Sequence, residues 1–183
     1  MLFNKKLVTI AVLASSMVAG SALAADGKKG AEVTFKAQIR AASCDVTSTT
    51  KGSVIDWGIF TVDQAAGKGV KDTLGEPKLF DLVLTNCSKD GSDTTMNVYA
   101  QGQEATGFPE LFADKDAKSL AVKLESGTDP ILPNIDSPVT LTDSVKAGNG
   151  ATIPMKASLL LTKADGVAPD ILRVPVTFTV SYN

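Results

Sequence analysis

Every second residue of Arg173-Val-Pro-Val-Thr-Phe-Thr-Val-Ser-Tyr-Asn183 from Val174 onward is apolar: Val174, Val176, Phe178, Val180 and Tyr182. Side chains of a strand point alternately to opposite faces, so a strict period of two puts all five on one surface. The sequence stops at Asn183, and the expectation is a terminal β-strand whose apolar face needs a neighbour. Ala31-Glu-Val-Thr-Phe-Lys-Ala-Gln-Ile39 repeats the pattern, with Ala31, Val33, Phe35, Ala37 and Ile39 on one side and polar or charged residues on the other. Each segment alone fits an ordinary core strand; together they suggest that one completes the other, within a molecule or between molecules.

The first 24 residues carry Lys5 and Lys6, an apolar core from Leu7 to about Ala14, and small residues at Ala22 and Ala24. This is the pattern of a cleaved secretory signal, with Ala25 as the expected mature N-terminus. A membrane anchor is the competing reading, but Thr9, Ser15, Ser16, Gly20 and Ser21 interrupt the roughly 20 apolar residues that a spanning helix needs. The mature chain then has about 160 residues, enough for one domain with a real core. With Lys5 and Lys6 removed from the 18 basic residues, 16 face 20 acidic ones, a formal charge of −4. No basic stripe is present to neutralise phosphates, so nucleic acid is not an expected partner.

The chain has two cysteines, Cys44 and Cys87, and in an exported protein an even number points to a bridge. A metal or redox pair is disfavoured, because the spacing is far from C-x-x-C and histidine is absent. Segments rich in β-branched and aromatic residues alternate with Gly, Asp, Asn, Ser and Pro clusters, the signature of an all-β sandwich or barrel. Strands are expected near Val33 to Ala41, Cys44 to Thr47, Ser53 to Phe60, Lys78 to Thr85, Thr95 to Ala100, Ala121 to Glu125, Ile153 to Leu161 and Leu172 to Tyr182. Asp63 to Gly75, Lys89 to Asp93 and Gly127 to Pro138 read as surface loops, and Pro109 to Ala117 as a short helical turn.

Without histidine, Ser-His-Asp and Cys-His catalysis and imidazole metal sites are excluded. Gly67-Lys-Gly69 and Gly148-Asn-Gly150 lack the strand before and helix after that a phosphate loop requires. Asp114 and Asp116 have neither the spacing nor the Glu of a calcium loop and read as a solvated loop. Paired carboxylates meet in space and not in sequence. Aromatic residues, however, are only 5% of the chain, few for a sugar-stacking cleft. The expectation is a protein that is no enzyme and holds no cofactor or metal.

Taken in order, the signal segment, the alternating extension, Cys44 and Cys87 with Phe80-x-Leu-x-Leu-x-x-Cys87, and the alternating C-terminus with penultimate Tyr182 resemble the pilin subunits of chaperone–usher fimbriae, of the type 1 major-subunit kind. The resemblance covers essentially the whole mature chain. It implies an incomplete immunoglobulin-like β-sandwich lacking its final strand (residues 41–183), preceded by a donor-strand extension (residues 25–40). It further implies an acceptor groove edged by Val174, Val176, Phe178, Val180 and Tyr182. A periplasmic chaperone would first fill that groove with a strand of its own. At an outer-membrane usher the extension of the next subunit would replace it, with Ala31, Val33, Phe35, Ala37 and Ile39 lying antiparallel to the last strand. Such extensions commonly have glycine at the fourth of these positions, where this chain has Ala37. The implied function is a surface fimbrial subunit that supports adhesion; the alternative is a minor adaptor or a pilin that binds a host glycan receptor.

Overall fold

Phe80, Leu82 and Leu84 are buried while Asp81 and Val83 between them are half-exposed, and this period of two defines a strand with one face on a core. The same alternation builds the other long strands of the computed structural model, which describes residues 42–50, 54–91, 95–141, 145–148 and 150–182. The signal segment, the extension residues Ala31, Val33, Phe35, Ala37 and Ile39, and with them the strand expected at Val33 to Ala41, lie outside the described residues. In chain order the elements are β1 (Ala42–Ser43), β2 (Asp45–Ser48), α1 (Val62–Ala65), β3 (Lys78–Thr85), β4 (Thr95–Gln101), β5 (Glu104–Ala105), β6 (Phe108–Phe112), β7 (Leu120–Ser126), β8 (Asp129–Ile131), β9 (Asp136–Thr140), β10 (Ala151–Leu161) and β11 (Thr177–Tyr182).

These strands form two antiparallel sheets, one ordered β1-β11-β4-β9 and the other β2-β3-β10-β7-β6-β5, with β8 also on β7. Their inner faces meet in one core, where Phe80, Leu82, Ile153 and Met155 of the larger sheet pack against Met96, Val98, Val139 and Val180 of the smaller. This is an immunoglobulin-like β-sandwich. One lateral side is closed by the passage from β8 to β9, where Ile131 is fully buried and Leu132 N donates to Ser137 Oγ at 3.0 Å.

β10 is buried on both faces at its far end, and Leu160, which breaks the polar side of its alternation, packs with Ala105, Leu111, Ala113 and Ala121 in a second cluster. The β5–β6 hairpin and the turn after it supply that cover. Pro154 is tolerated within β10 because it pairs only with Asp81 of β3, while the β7 ladder begins two residues later at Lys156. Its carbonyl is satisfied from the β7 side by Ser126 Oγ at 2.8 Å.

Several sequence expectations change. The span from Pro109 is no helical turn: β6 runs through Phe112, and beyond it lies only a turn closed by Ala117 N to Asp114 O. Gly127 to Pro138 is not a surface loop, since it holds β8 and the start of β9 and buries Ile131. Val54 to Phe60 makes no ladder pairs. Asp56 Oδ1 accepts Gly58 N at 2.7 Å, and Gly58, at φ 82°, turns the chain out of an extended run. The last strand begins at Thr177 and not at Leu172, because its partner β4 ends at Gln101, opposite Thr177, and Pro175 has no N–H to give.

Candidate functional site, an open edge beside the core

β11 pairs with β4 along Thr177–Ser181, but on its other side only Ser181 and Tyr182 have partners, namely Ser43 and Ala42 of β1. Among the described residues, Thr177 to Val180 therefore present an unpaired edge. At Cys44 the chain crosses from β1 on this sheet to β2 on the other, where, among the described residues, β2 pairs with β3 alone. Open edges of both sheets thus border the same side of the sandwich.

Between those edges the core is incompletely covered. Leu172, Val174, Val176 and Phe178 each pack against the buried cluster yet remain partly exposed, as do Val46, Ile55 and Trp57. Phe178 lies 6.3 Å from Phe80, centroid to centroid, at 51°. Beneath Val176 the wall is close: a Cβ on Gly102 would sit 2.7 Å from the Phe112 ring and 3.4 Å from Val176 Cγ2. The result is a slot floored by apolar side chains and rimmed by backbone groups without ladder partners. Chemically it offers what an extended apolar segment requires, and no cluster of candidate metal ligands occurs among the described residues.

One end of the slot is closed by covalent and hydrogen bonds. Cys44 and Cys87 form a disulfide, Ser88 N donates to Ser43 O at 3.1 Å, and Ser43 N donates to Ser88 Oγ at 3.3 Å. The phenol of buried Tyr182 donates to Lys89 O at 2.7 Å and accepts Lys89 N at 3.4 Å, tying the end of β11 to the loop that carries Cys87.

The other end is held by two carboxylates. Asp114 Oδ2 accepts Arg173 N at 2.7 Å and its Oδ1 accepts Asp116 N at 2.8 Å. Asp170 Oδ2 accepts Lys118 N and Ser119 N, both at 2.8 Å. The Arg173 amide, ahead of the Asp116 and Ala117 amides and nearby Lys115, holds the Asp114 carboxyl below its ordinary value against the opposing effect of partial desolvation. These bonds fix the ladder-free run before β11, whose Leu172 touches all three apolar clusters of the molecule.

Of the expected groove edge, Val180 and Tyr182 are buried, whereas Val174, Val176 and Phe178 line the slot, the first two from outside the ladder. The donor residues lie outside the described part. Leu172, Ile55 and Trp57 were not among the expected site residues. Leu172 shares the parity of Val174 and was legible on that ground, while Ile55 and Trp57 were read only as members of a strand. Asp114, read as part of a solvated loop, is a backbone clamp, for which the sequence carries no signal.

The fimbrial protein family matches residues 33–183. No curated protein sequence matches the chain. Among solved structures, the P pilus rod subunit PapA aligns at 17% identity with a TM-score of 0.55, over 76% of this chain and 99% of that one. A chaperone–usher pilus, in a structure that addresses rod uncoiling, aligns at 17% identity with a TM-score of 0.54, over 85% and 97% of the respective chains. At that identity the likeness carries the fold, and the family match carries the identity. A match spanning the sandwich from before its first strand to its last residue places the chain in the fimbrial protein family, as a structural, non-enzymatic subunit of a surface pilus that associates with other pilins in a polymer.

Proposed function

We propose that this subunit polymerises by donor-strand exchange, the slot beside β11 receiving the Ala31–Ile39 segment of a neighbour. The observation that carries the reading is the unpaired edge Thr177–Val180 beside a half-covered apolar row. An inserted strand would add ladder hydrogen bonds, about 0.5–1.5 kcal/mol net each. It would also bury Val33, Phe35 and Ile39 for roughly 1.5–3 kcal/mol each. Before assembly, an apolar slot with a free edge is an aggregation hazard, which supports prior capture by a periplasmic chaperone that lends a strand, followed by exchange at an outer-membrane usher. The finished fibre serves adhesion.

Val33→Asp combined with Phe35→Asp places two carboxylates in the slot, where charge without a partner is costly. Electron microscopy of cells expressing the variant with its assembly proteins is expected to show no filaments, while the variant still copurifies with the chaperone. Filaments at the normal level would refute donor-strand exchange.

A further inference from the structure

We infer that the end of the sandwich capped by α1 is a second contact between copies, a surface outside the slot on which the body of the neighbouring subunit seats. The inference rests on the donor-strand reading. β10 fixes the two ends of the molecule. Its first residue, Ala151, pairs with Leu84, close to Cys87 of the disulfide, and its last, Leu161, lies in the cluster of Ala65, Leu74 and Leu159. α1 contributes Ala65 to that cluster, the loop after it contributes Leu74, and Val167 and Leu172 of the run before β11 pack against it. Lys71 N donates to Leu161 O at 2.7 Å and Leu161 N to Asp72 O at 3.0 Å, which laces the loop to the end of β10.

These capping segments carry apolar side chains that the cluster does not use. Seven large apolar residues are exposed among the described ones, and four of them, Ile59, Val62, Val70 and Ile171, belong to this end. Ile59 and Val62 flank the Thr61 cap of α1, Val70 precedes Lys71, and Ile171 precedes the slot-lining Leu172. Single exposed apolar residues are ordinary on a surface, but their gathering at one end marks a place of contact.

The slot determines which partner reaches that end. The chain enters the sandwich through β1, whose Ala42 and Ser43 pair with Tyr182 and Ser181. The edge of β11 is thus already occupied at the disulfide end and open at the other, along Thr177 and the ladder-free run before it. A strand antiparallel to β11 has its C-terminal end beside Leu172, whereas the reverse direction would drive the donor's body into the recipient's β1. The body of the donating copy therefore stands over α1 and Ile171, and one neighbour covers both the slot and the apolar end beside it. A joint of one strand would leave the two bodies free to swing, and an apolar contact between them holds their angle.

The test compares fibres of the unaltered chain with the Val33→Asp, Phe35→Asp variant, whose unassembled subunit serves as the free state. Both are labelled with a photogenerated carbene, which inserts into accessible side chains, and the label is located by mass spectrometry. The expected result is loss of label at Ile59, Val62, Val70 and Ile171 in the fibre. A second variant, Ile59→Asp with Ile171→Ser, changes residues that are 97% and 75% exposed, so the fold is retained. It is expected to assemble into filaments that bend more sharply in electron micrographs, with Val62 and Val70 labelled as in the free subunit.

Equal labelling of the four residues in fibre and free subunit would overturn the end contact and leave donor-strand exchange standing. So would second-variant filaments as stiff as the original with Val62 and Val70 still shielded. The labelling of the unaltered fibre decides alone if that variant does not assemble. Filaments from the Val33→Asp, Phe35→Asp variant would overturn the donor-strand reading and this inference with it.

Discussion

Asn134 shows how one side chain stands in for a strand. At φ 57° it adopts the left-handed conformation that asparagine tolerates better than most residues, and its amide pairs with a backbone just past the end of β4. Nδ2 donates to Gly102 O at 2.8 Å, Oδ1 accepts Gly102 N at 3.2 Å, and its own N–H bonds Ala100 O at 2.8 Å. Asn134→Gly keeps the backbone conformation and removes both side-chain bonds, so it isolates their value. A loss of about 1–3 kcal/mol is expected in urea unfolding of the subunit. Asn134→Ala adds the strain of a positive φ and is expected to unfold at lower urea than the glycine variant. Gly150 is constrained more severely: at φ 70°, a Cβ would lie 1.7 Å from the Leu84 carbonyl oxygen. Gly150→Ala is expected to cost more than about 4 kcal/mol, read as loss of soluble subunit from the periplasm.

Among the elements, the ladder-free stretch before β11 depends most on a single carboxylate. The amide of Arg173 has Asp114 as its partner, and the slot-lining Leu172 and Val174 flank that amide. The folded-state pKa of Asp114 lies below its ordinary 3.8. The carboxylate's contribution is therefore complete above pH 3.8 and disappears as pH falls through the lowered value. Amide exchange at Arg173, corrected for intrinsic rates, is expected to accelerate in that acid range, and Asp114→Ala is expected to show the accelerated exchange already at neutral pH. Equal protection of Arg173 in the variant and the original chain would contradict the clamp.

At the scale of the whole molecule, the sandwich is closed on one side by the β8–β9 passage, whereas on the other side, among the described residues, only the Cys44 crossing joins the sheets. The disulfide closes a loop of 43 residues at that crossing, worth about 4 kcal/mol in the chain-entropy model. In Cys44→Ser combined with Cys87→Ser, β1 and the Lys89 loop lose their covalent link beside Tyr182. The expected outcome is a subunit whose urea midpoint drops by roughly 2 M and, under the proposed chaperone capture, a depleted chaperone complex. Unchanged fibre yield from the double variant would show that the bridge is dispensable for assembly.

The alternations of Phe80–Leu84, Ile153–Leu161 and Phe178–Tyr182 determined the all-β class by themselves and left sandwich or barrel open, because a period of two fixes which face is buried before any partner is known. Two cysteines in an exported chain likewise settled the bridge. What the sequence left undetermined is whatever depends on a distant neighbour. β6 and β8 are short and contain Pro109 and Pro130, so local patterning favours turns, and only pairing, of β6 with β5 and β7 and of β8 with β7, makes them strands. Thr177 became the start of β11 because β4 ends opposite it, and Asp114 became a clamp because folding brings Arg173 to it from 59 positions away. The tertiary structure alone decided that, among the described residues, two sheet edges lie open on one side, since an unpaired edge is a relation among several strands and no single segment encodes it.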